Sequence, residues 1–274
     1  MRVACVQSDV AFGDPKANAA AACTHLERLA AEGVELAVFP EAFLTGYCVD
    51  SVQEASAIAI GAAHPSIRLL DEAAHDLGLV VVAGFAESTE EGGLYNTAAL
   101  LEKDRSVRTY RKTHLPCLGL DRFVGRGAEL PVFETSVGTI GLLICFDLRP
   151  PEPSRVLALK GAELIVLPTN WPEGAEFGPE VACRSRCGEN RIFFAACNRV
   201  GTERGFTFIG KSQIVDPLGH VVARAGDGPE VIQADLDLSL ARTKRNVMVP
   251  GRYETEMLDS RRPELYGEIV RPLR

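Results

Sequence analysis

The sequence predicts an α/β fold built on mixed sheets, and three observations carry that prediction. Short apolar runs rich in Val, Ile, Leu and Phe alternate with longer segments of helical character. Single strands follow helices, which calls for crossover connections and parallel pairing. Around residues 94 to 111 and 131 to 144, by contrast, two runs lie close together, the spacing of antiparallel hairpins.

Taken in order, RVACVQS is the first strand, and a helix is expected over 15 to 33 before the strand ELAVFP. A second helix, over 66 to 77, leads into LVVVAGFAES, with LYNTAALLE close behind it. VGTIGLLICF reads as a buried strand that delivers Cys145 at its end, where Phe146, Asp147, Leu148 and Arg149 turn the chain into a proline-rich stretch. A helix over 152 to 160 precedes AELIVLP. GENR, which holds Glu189 and Asn190, closes a further helix before RIFFAACNRV, a structural role. HVVARAG and EVIQADLD are the last strands. From about Arg242 the chain is rich in Arg, Pro and Tyr without clear periodicity, so an extended tail is expected. No Ser/Gly linker, fixed-period repeat or low-complexity tract interrupts the chain. One domain is therefore expected over 1–274, with a core of about 2–240 and a tail of about 241–274 packing on a partner subunit.

Composition narrows the function. The 274 residues are 46% hydrophobic, ample for a buried core, and carry a net charge of −8, which disfavours a nucleic-acid or anionic-membrane surface. A small molecule is the expected partner. No run of 18 apolar residues occurs, and the opening MRVACVQSDVAFGD lacks the pattern of a secretory signal, so the expected compartment is the cytoplasm. The eight cysteines are scattered through apolar segments without a CxxC pair, as thiols in a reducing compartment would be. Cys183 and Cys187, at helical i, i+4 spacing, read as packing residues. The five histidines are widely separated and none belongs to an HxxxH or HxH pattern, so the sequence offers no His/Cys ligand cluster for a metal.

Three polar residues stand just past apolar runs: Glu41 in LAVFPEAFLTGY, Lys112 in RTYRKTHLP and Cys145 in GLLICFDLR. A protonated thiol is a weak nucleophile and needs a base or nearby positive charge. Glu41, partly desolvated behind an apolar run, has the character of such a base. Lys112 would serve twice, favouring thiolate and stabilising a tetrahedral oxyanion together with the N–H of Phe146. Acyl transfer is the implied chemistry. Each residue also has a plainer reading: a packing cysteine, a carboxylate in a helix first turn, one charge of three in YRK. Spacing alone does not bring the three together.

The strings FPEAFLTGY, YRKTHLP, GLLICFDLRPPEPSRVLALKGAELIVLPTNWP, CRSRCGENRIFFAACNRVG and FIGKSQIVDPLG resemble the successive signatures of the nitrilase superfamily of carbon-nitrogen hydrolases, in order from about residue 2 to about 238. The resemblance implies a four-layer α-β-β-α sandwich that associates into a homodimer or a larger assembly. It implies Glu41 as base, Lys112 as oxyanion stabiliser and Cys145 as the residue that forms a thioester, with no metal or organic cofactor. Many members carry a second glutamate between the Lys and Cys motifs. Here the loop PCLGLDRFVGRGAEL offers Asp121, one methylene shorter, with Glu129 a poorer fit; a turn residue is the plainer reading of Asp121.

Further site candidates follow. Arg149 and Glu152 come after the nucleophile turn, with a surface salt bridge as the plain alternative. Asn170 and Trp171, in PTNWP, line the pocket by resemblance, with a core or interface aromatic as the plainer alternative for the single tryptophan. Tyr47 is expected at the entrance. Phe146-Asp147 after the cysteine resembles the amidase and carbamoylase branches, whereas nitrilases tend to carry Trp-Glu there. The expectation is hydrolysis of a linear, non-peptide amide to a carboxylic acid and ammonia, with N-carbamoyl amides and nitriles as alternatives. A basic residue such as Arg149 would suit a carboxylate-bearing substrate. The alternative of another class is a catalytically retired scaffold, against which the three retained residue types argue.

Overall fold

Two six-stranded sheets stack face to face in the computed structural model, which describes residues 1–104 and 107–272. The strands are β1 (Arg2–Gln7), β2 (Leu36–Val38), β3 (Val80–Ser88), β4 (Leu94–Leu101), β5 (Val107–Arg111), β6 (Val132–Thr135), β7 (Gly138–Leu142), β8 (Leu164–Pro168) and β9 (Phe193–Cys197). They continue as β10 (Thr202–Glu203), β11 (Phe206–Thr207), β12 (Gln213–Val215), β13 (Val221–Arg224), β14 (Glu230–Asp235), β15 (Arg245–Val249) and β16 (Tyr253–Glu256). The helices are α1 (Pro15–Ala31), α2 (Val52–Ile58), α3 (Pro65–Leu77), α4 (Glu152–Leu159), α5 (Cys183–Asn190) and α6 (Ser239–Arg242).

The first sheet runs β14-β1-β2-β3-β4-β5 and the second β13-β12-β9-β8-β7-β6. In the first, β1, β2 and β3 are parallel and the outer strands antiparallel. In the second, β7, β8 and β9 repeat that arrangement. The two sheets thus share one topology, and each opens the carboxyl ends of three parallel strands, where α/β folds build their sites.

Alternation along the strands explains the layers. Val3 and Cys5 of β1 point into the core between the sheets with Leu36, Val38, Val80 and Val82. Their neighbours Ala4 and Val6 point the other way, onto Leu26 and Leu29 of α1 and Leu70 of α3. Across the molecule, Leu157 of α4 lies over Gly141 of β7, and α5 packs on β9 and β12. Each fully buried aliphatic side chain contributes roughly 1.5–3 kcal/mol, so a dozen such positions dominate the stability of the sandwich. The result is the mixed-sheet α-β-β-α sandwich. No helix among the described residues is long and apolar enough to cross a membrane.

Several expectations are refined. VGTIGLLICF is a strand only as far as Leu142; Leu143 and Ile144 lead into a 3-10 turn, Cys145–Leu148, so the cysteine begins a turn. The expected hairpins form as β4–β5 and β6–β7, with the tip of the first, residues 105 and 106, outside the described residues. Helix α2, capped by Ser51, which accepts from the Glu54 N–H at 3.1 Å, was not foreseen because its seven residues show too short a pattern. The tail is not wholly extended: β15 and β16 pair as a hairpin and two 3-10 turns follow, while residues 273 and 274 lie outside the described residues.

Candidate active site

Glu41, Lys112 and Cys145 arrive at one place from three strand ends. Glu41 follows β2, Lys112 follows β5 and Cys145 follows β7. The approach is close: a Cβ on Gly84 of β3 would lie 2.4 Å from the Ala42 nitrogen and 2.8 Å from the Glu41 Cα, so only glycine lets the Glu41 backbone settle against that strand. Cys145 itself has φ 45°, the left-handed region that L-residues enter only under constraint.

A buried charge network ties the groups together. Lys112 Nζ donates to Glu41 Oε1 at 2.7 Å and to Asp121 Oδ2 at 2.6 Å, with all three side chains fully buried. Asn96 Nδ2, from β4, donates to Glu41 Oε1 at 2.7 Å and Asp121 Oδ1 at 2.8 Å. The Tyr47 hydroxyl donates to Asp121 Oδ2 at 2.8 Å. Glu41 Oε2 is buried and has no hydrogen-bond partner among the described residues. The carboxylate is thus held by one oxygen and free at the other. Asp121 comes into reach on a 3-10 turn, Gly119–Arg122, where Gly119 (φ 45°) lies so close to Tyr47 that a Cβ would stand 2.6 Å from its ring.

Burial and charge set the protonation of these groups. Burial lifts Glu41 above the ordinary carboxylate value; Lys112 opposes the rise and Asp121 adds to it. Burial would lower Lys112, but Asp121 and then Glu41 outweigh it and hold the ammonium well above the usual lysine range. The Cys145 thiol is pushed up to about 12, first by burial and then by Glu41, with Lys112, the Thr169 hydroxyl and the Asn170 backbone N–H pulling the other way. Lys112 does favour thiolate, but burial and the Glu41 charge outweigh it. Burial and the Glu41 charge keep a thiol until a base removes its proton.

Cys145, 8% exposed, opens on a cavity of about 290 Å³ lined by Phe146, Arg149, Trp171, Pro116, Leu118 and Ala175 among others. Among the described residues Arg149 makes no ion pair; its guanidinium lies 4.6 Å from the centroid of the Phe177 ring. Trp171 packs against Gly178 and forms part of the wall. Asn170 is fully buried instead of lining the cavity, and its side-chain amide is unpartnered among the described residues. Tyr47 is 1% exposed, so it is not an entrance residue: its phenol supports Asp121 from within. Glu129 is exposed on a separate groove. Asn96 was missed, and the polar pair Asn96-Thr97 inside the apolar run LYNTAALLE is the signal that marks it. Cys183 and Cys187 are buried, and no His/Cys/Asp/Glu group suited to a metal ion occurs among the described residues.

Residues 2–246 match the family profile for carbon-nitrogen hydrolases. A protein named nitrilase from Pyrococcus abyssi is 35% identical over 89% of this chain and 93% of its own. An (R)-stereoselective amidase of a Pseudomonas species is 33% identical over 97% and 99% of the two chains. Among solved structures, a variant of the amidase from Nesterenkonia sp. AN1, with acrylamide joined to its active-site cysteine, superposes with a TM-score of 0.81 at 25% identity, covering 98% of this chain and 100% of the other.

Proposed function

Because the chain belongs to the carbon-nitrogen hydrolase family, in which it is a cysteine-dependent amidase, we propose that it converts a linear, non-peptide amide to a carboxylic acid and ammonia through a thioester on Cys145. The observation that carries this reading is the half-tethered Glu41 in the same buried cluster as a neutral thiol: one oxygen fixed by Lys112 and Asn96, the other free to take a proton.

The steps follow from the donors at hand. Glu41 accepts the thiol proton as the sulfur adds to the amide carbon. An ammonium has three N–H donors, and Lys112 spends two on Glu41 and Asp121, which leaves the third for the developing oxyanion. The Phe146 N–H, in the first turn of a 3-10 segment whose early donors lack intrahelical partners, is its natural companion. Glu41 then passes the proton to the nitrogen, the C–N bond breaks and ammonia leaves. Water, deprotonated in turn by Glu41, attacks the thioester, the C–S bond breaks to release the acid, and Glu41 returns the proton to the Cys145 sulfur. Asp121 holds the lysine, in the place of the second glutamate that many members carry.

Phe146-Asp147 after the nucleophile supports the amide over the nitrile reading, and Arg149 at the cavity supports an acid-bearing amide. The test is ammonia release from short aliphatic amides, ω-amides of dicarboxylic acids, N-carbamoyl amino acids and nitriles, with Cys145→Ala as control. Release from amides by the wild type alone is expected. Release from nitriles or carbamoyl compounds alone would reassign the branch, and silence across the panel would overturn the reading.

We also propose a single hydrolase domain acting as a homodimer or larger assembly in the cytoplasm. A groove of about 690 Å³ between α4 and the tail, edged by Leu159, Tyr266, Ile269 and Val270, supports the subunit contact. The eight free thiols suit a reducing compartment.

A further inference from the structure

Asp147 lies two residues past Cys145, wholly buried, and its two oxygens collect hydrogen bonds from two separate segments. Oδ1 accepts from the Thr113 hydroxyl at 2.8 Å, from the His114 backbone N–H at 2.9 Å and from His114 Nδ1 at 2.8 Å. Oδ2 accepts from the Tyr110 hydroxyl at 2.8 Å and from the Ile144 backbone N–H at 3.0 Å. Tyr110, Thr113 and His114 bracket Lys112 in sequence, and Ile144 immediately precedes Cys145. One carboxylate therefore joins the segment that carries the lysine to the turn that carries the cysteine.

The need for such a tie is visible in the backbone. Cys145 starts its turn in the left-handed region, which persists only where the surroundings over-determine it. Lys112 is held by Glu41 and Asp121, and among the described residues neither of these makes a hydrogen bond to the cysteine turn. We propose that Asp147 is a positioning residue, which sets the placement of Cys145 relative to Lys112. The inference rests on the reading in which those two residues carry the chemistry. An acid suits the position because five donors converge on it and an ionised carboxylate is an acceptor at both oxygens. Asparagine offers one acceptor oxygen and turns its NH2 toward the donors on the other side, so either the Thr113 and His114 bonds or the Tyr110 and Ile144 bonds are lost and the tie loosens.

The experiment is steady-state kinetics on the full chain, with thermal melting, for Asp147→Asn and for Thr113→Val/His114→Ala. The double variant spares the Ile144 bond and loosens only the lysine side. For Asp147→Asn the expected result is a kcat about 10²-fold lower, since displacement of about 1 Å costs that much, with KM within about threefold and a cooperative melt. For the double variant kcat falls by about tenfold with the melt retained. If Asp147→Asn does not fold, the double variant decides. Wild-type kcat in a folded variant, even with a lowered melting temperature, makes Asp147 merely structural and overturns the inference. Cys145→Ala separates the two ideas: inactive Cys145→Ala with fully active Asp147 variants sinks only the positioning role, whereas an active Cys145→Ala sinks the nucleophile reading and this inference with it.

Discussion

Glu41 keeps one oxygen against Lys112 and Asn96 and the other free, and that asymmetry makes a buried acid serviceable as a base. Burial favours its protonated form, so the group works only once ionised. The sign is then definite: kcat/KM should fall as pH drops through the raised Glu41 pKa. Replacing Asp121 by Asn removes one charge that lifts Glu41 and the foremost charge that lifts Lys112. Both limbs of the pH profile should therefore move to lower pH, and limbs that stay put would contradict this electrostatic picture. Glu41→Gln should lower kcat by about 10³-fold, the scale of general-base catalysis, in a protein that still melts cooperatively. The thiol at about 12 explains why a base is needed at all: at neutral pH almost none of Cys145 is thiolate.

At the level of elements, the site depends on how closely β3 approaches the Glu41 loop. Gly84→Ala places a methyl 2.4 Å from the Ala42 nitrogen, and the backbone that carries Glu41 has to move. Overpacking of this kind costs about 1–3 kcal/mol, measurable by urea unfolding, and kcat should fall by about 10²-fold because the base shifts. A Gly84→Ala enzyme with native stability and kcat would show that the approach is not tight. The central strands of both sheets were legible in the sequence because they are buried on both faces and read as continuous apolar runs, as in VVVAGF and LIVLP. Helix α2 and the three-residue strand β12 were not, since elements that short carry too little periodicity. The end of β7 was misjudged because Leu143 and Ile144 stay apolar after the ladder stops. Among site residues, Glu41, Lys112 and Cys145 stood out by their place after apolar runs. Asn96 did not, because its role depends on the sheet order that sets β4 beside β3 and β5, which no local pattern encodes. Tyr47 was misplaced for a related reason: an aromatic after a loop glycine reads as surface, yet the fold buries it beneath Asp121.

For the whole molecule, the shared topology of the two sheets puts carboxyl ends of parallel strands from both halves around one cluster: Glu41 after β2 and Cys145 after β7. Neither sheet alone supplies all three of the proposed catalytic residues, so the proposed chemistry requires the two layers to stack. The outer surface carries a different signal. Leu265, Ile269 and Val270 of the tail are 65%, 60% and 84% exposed, and Met248 and Tyr253 of the β15–β16 hairpin are exposed as well. Apolar surface gathered on one tail is what a subunit contact buries. Light scattering at micromolar concentration should give at least twice the chain mass of 29.5 kDa, and a monomeric mass would contradict the assembly.

The central claim is that Cys145 carries the acyl group between two half-reactions. Intact-mass analysis of enzyme quenched during turnover of an amide tests it most directly. A fraction of the wild-type protein should be heavier by the acyl moiety, mapped to the peptide that holds Cys145, cleared when the amide is exhausted and absent from Cys145→Ala. Continued amide turnover by Cys145→Ala, or an adduct that maps to another residue, would contradict it.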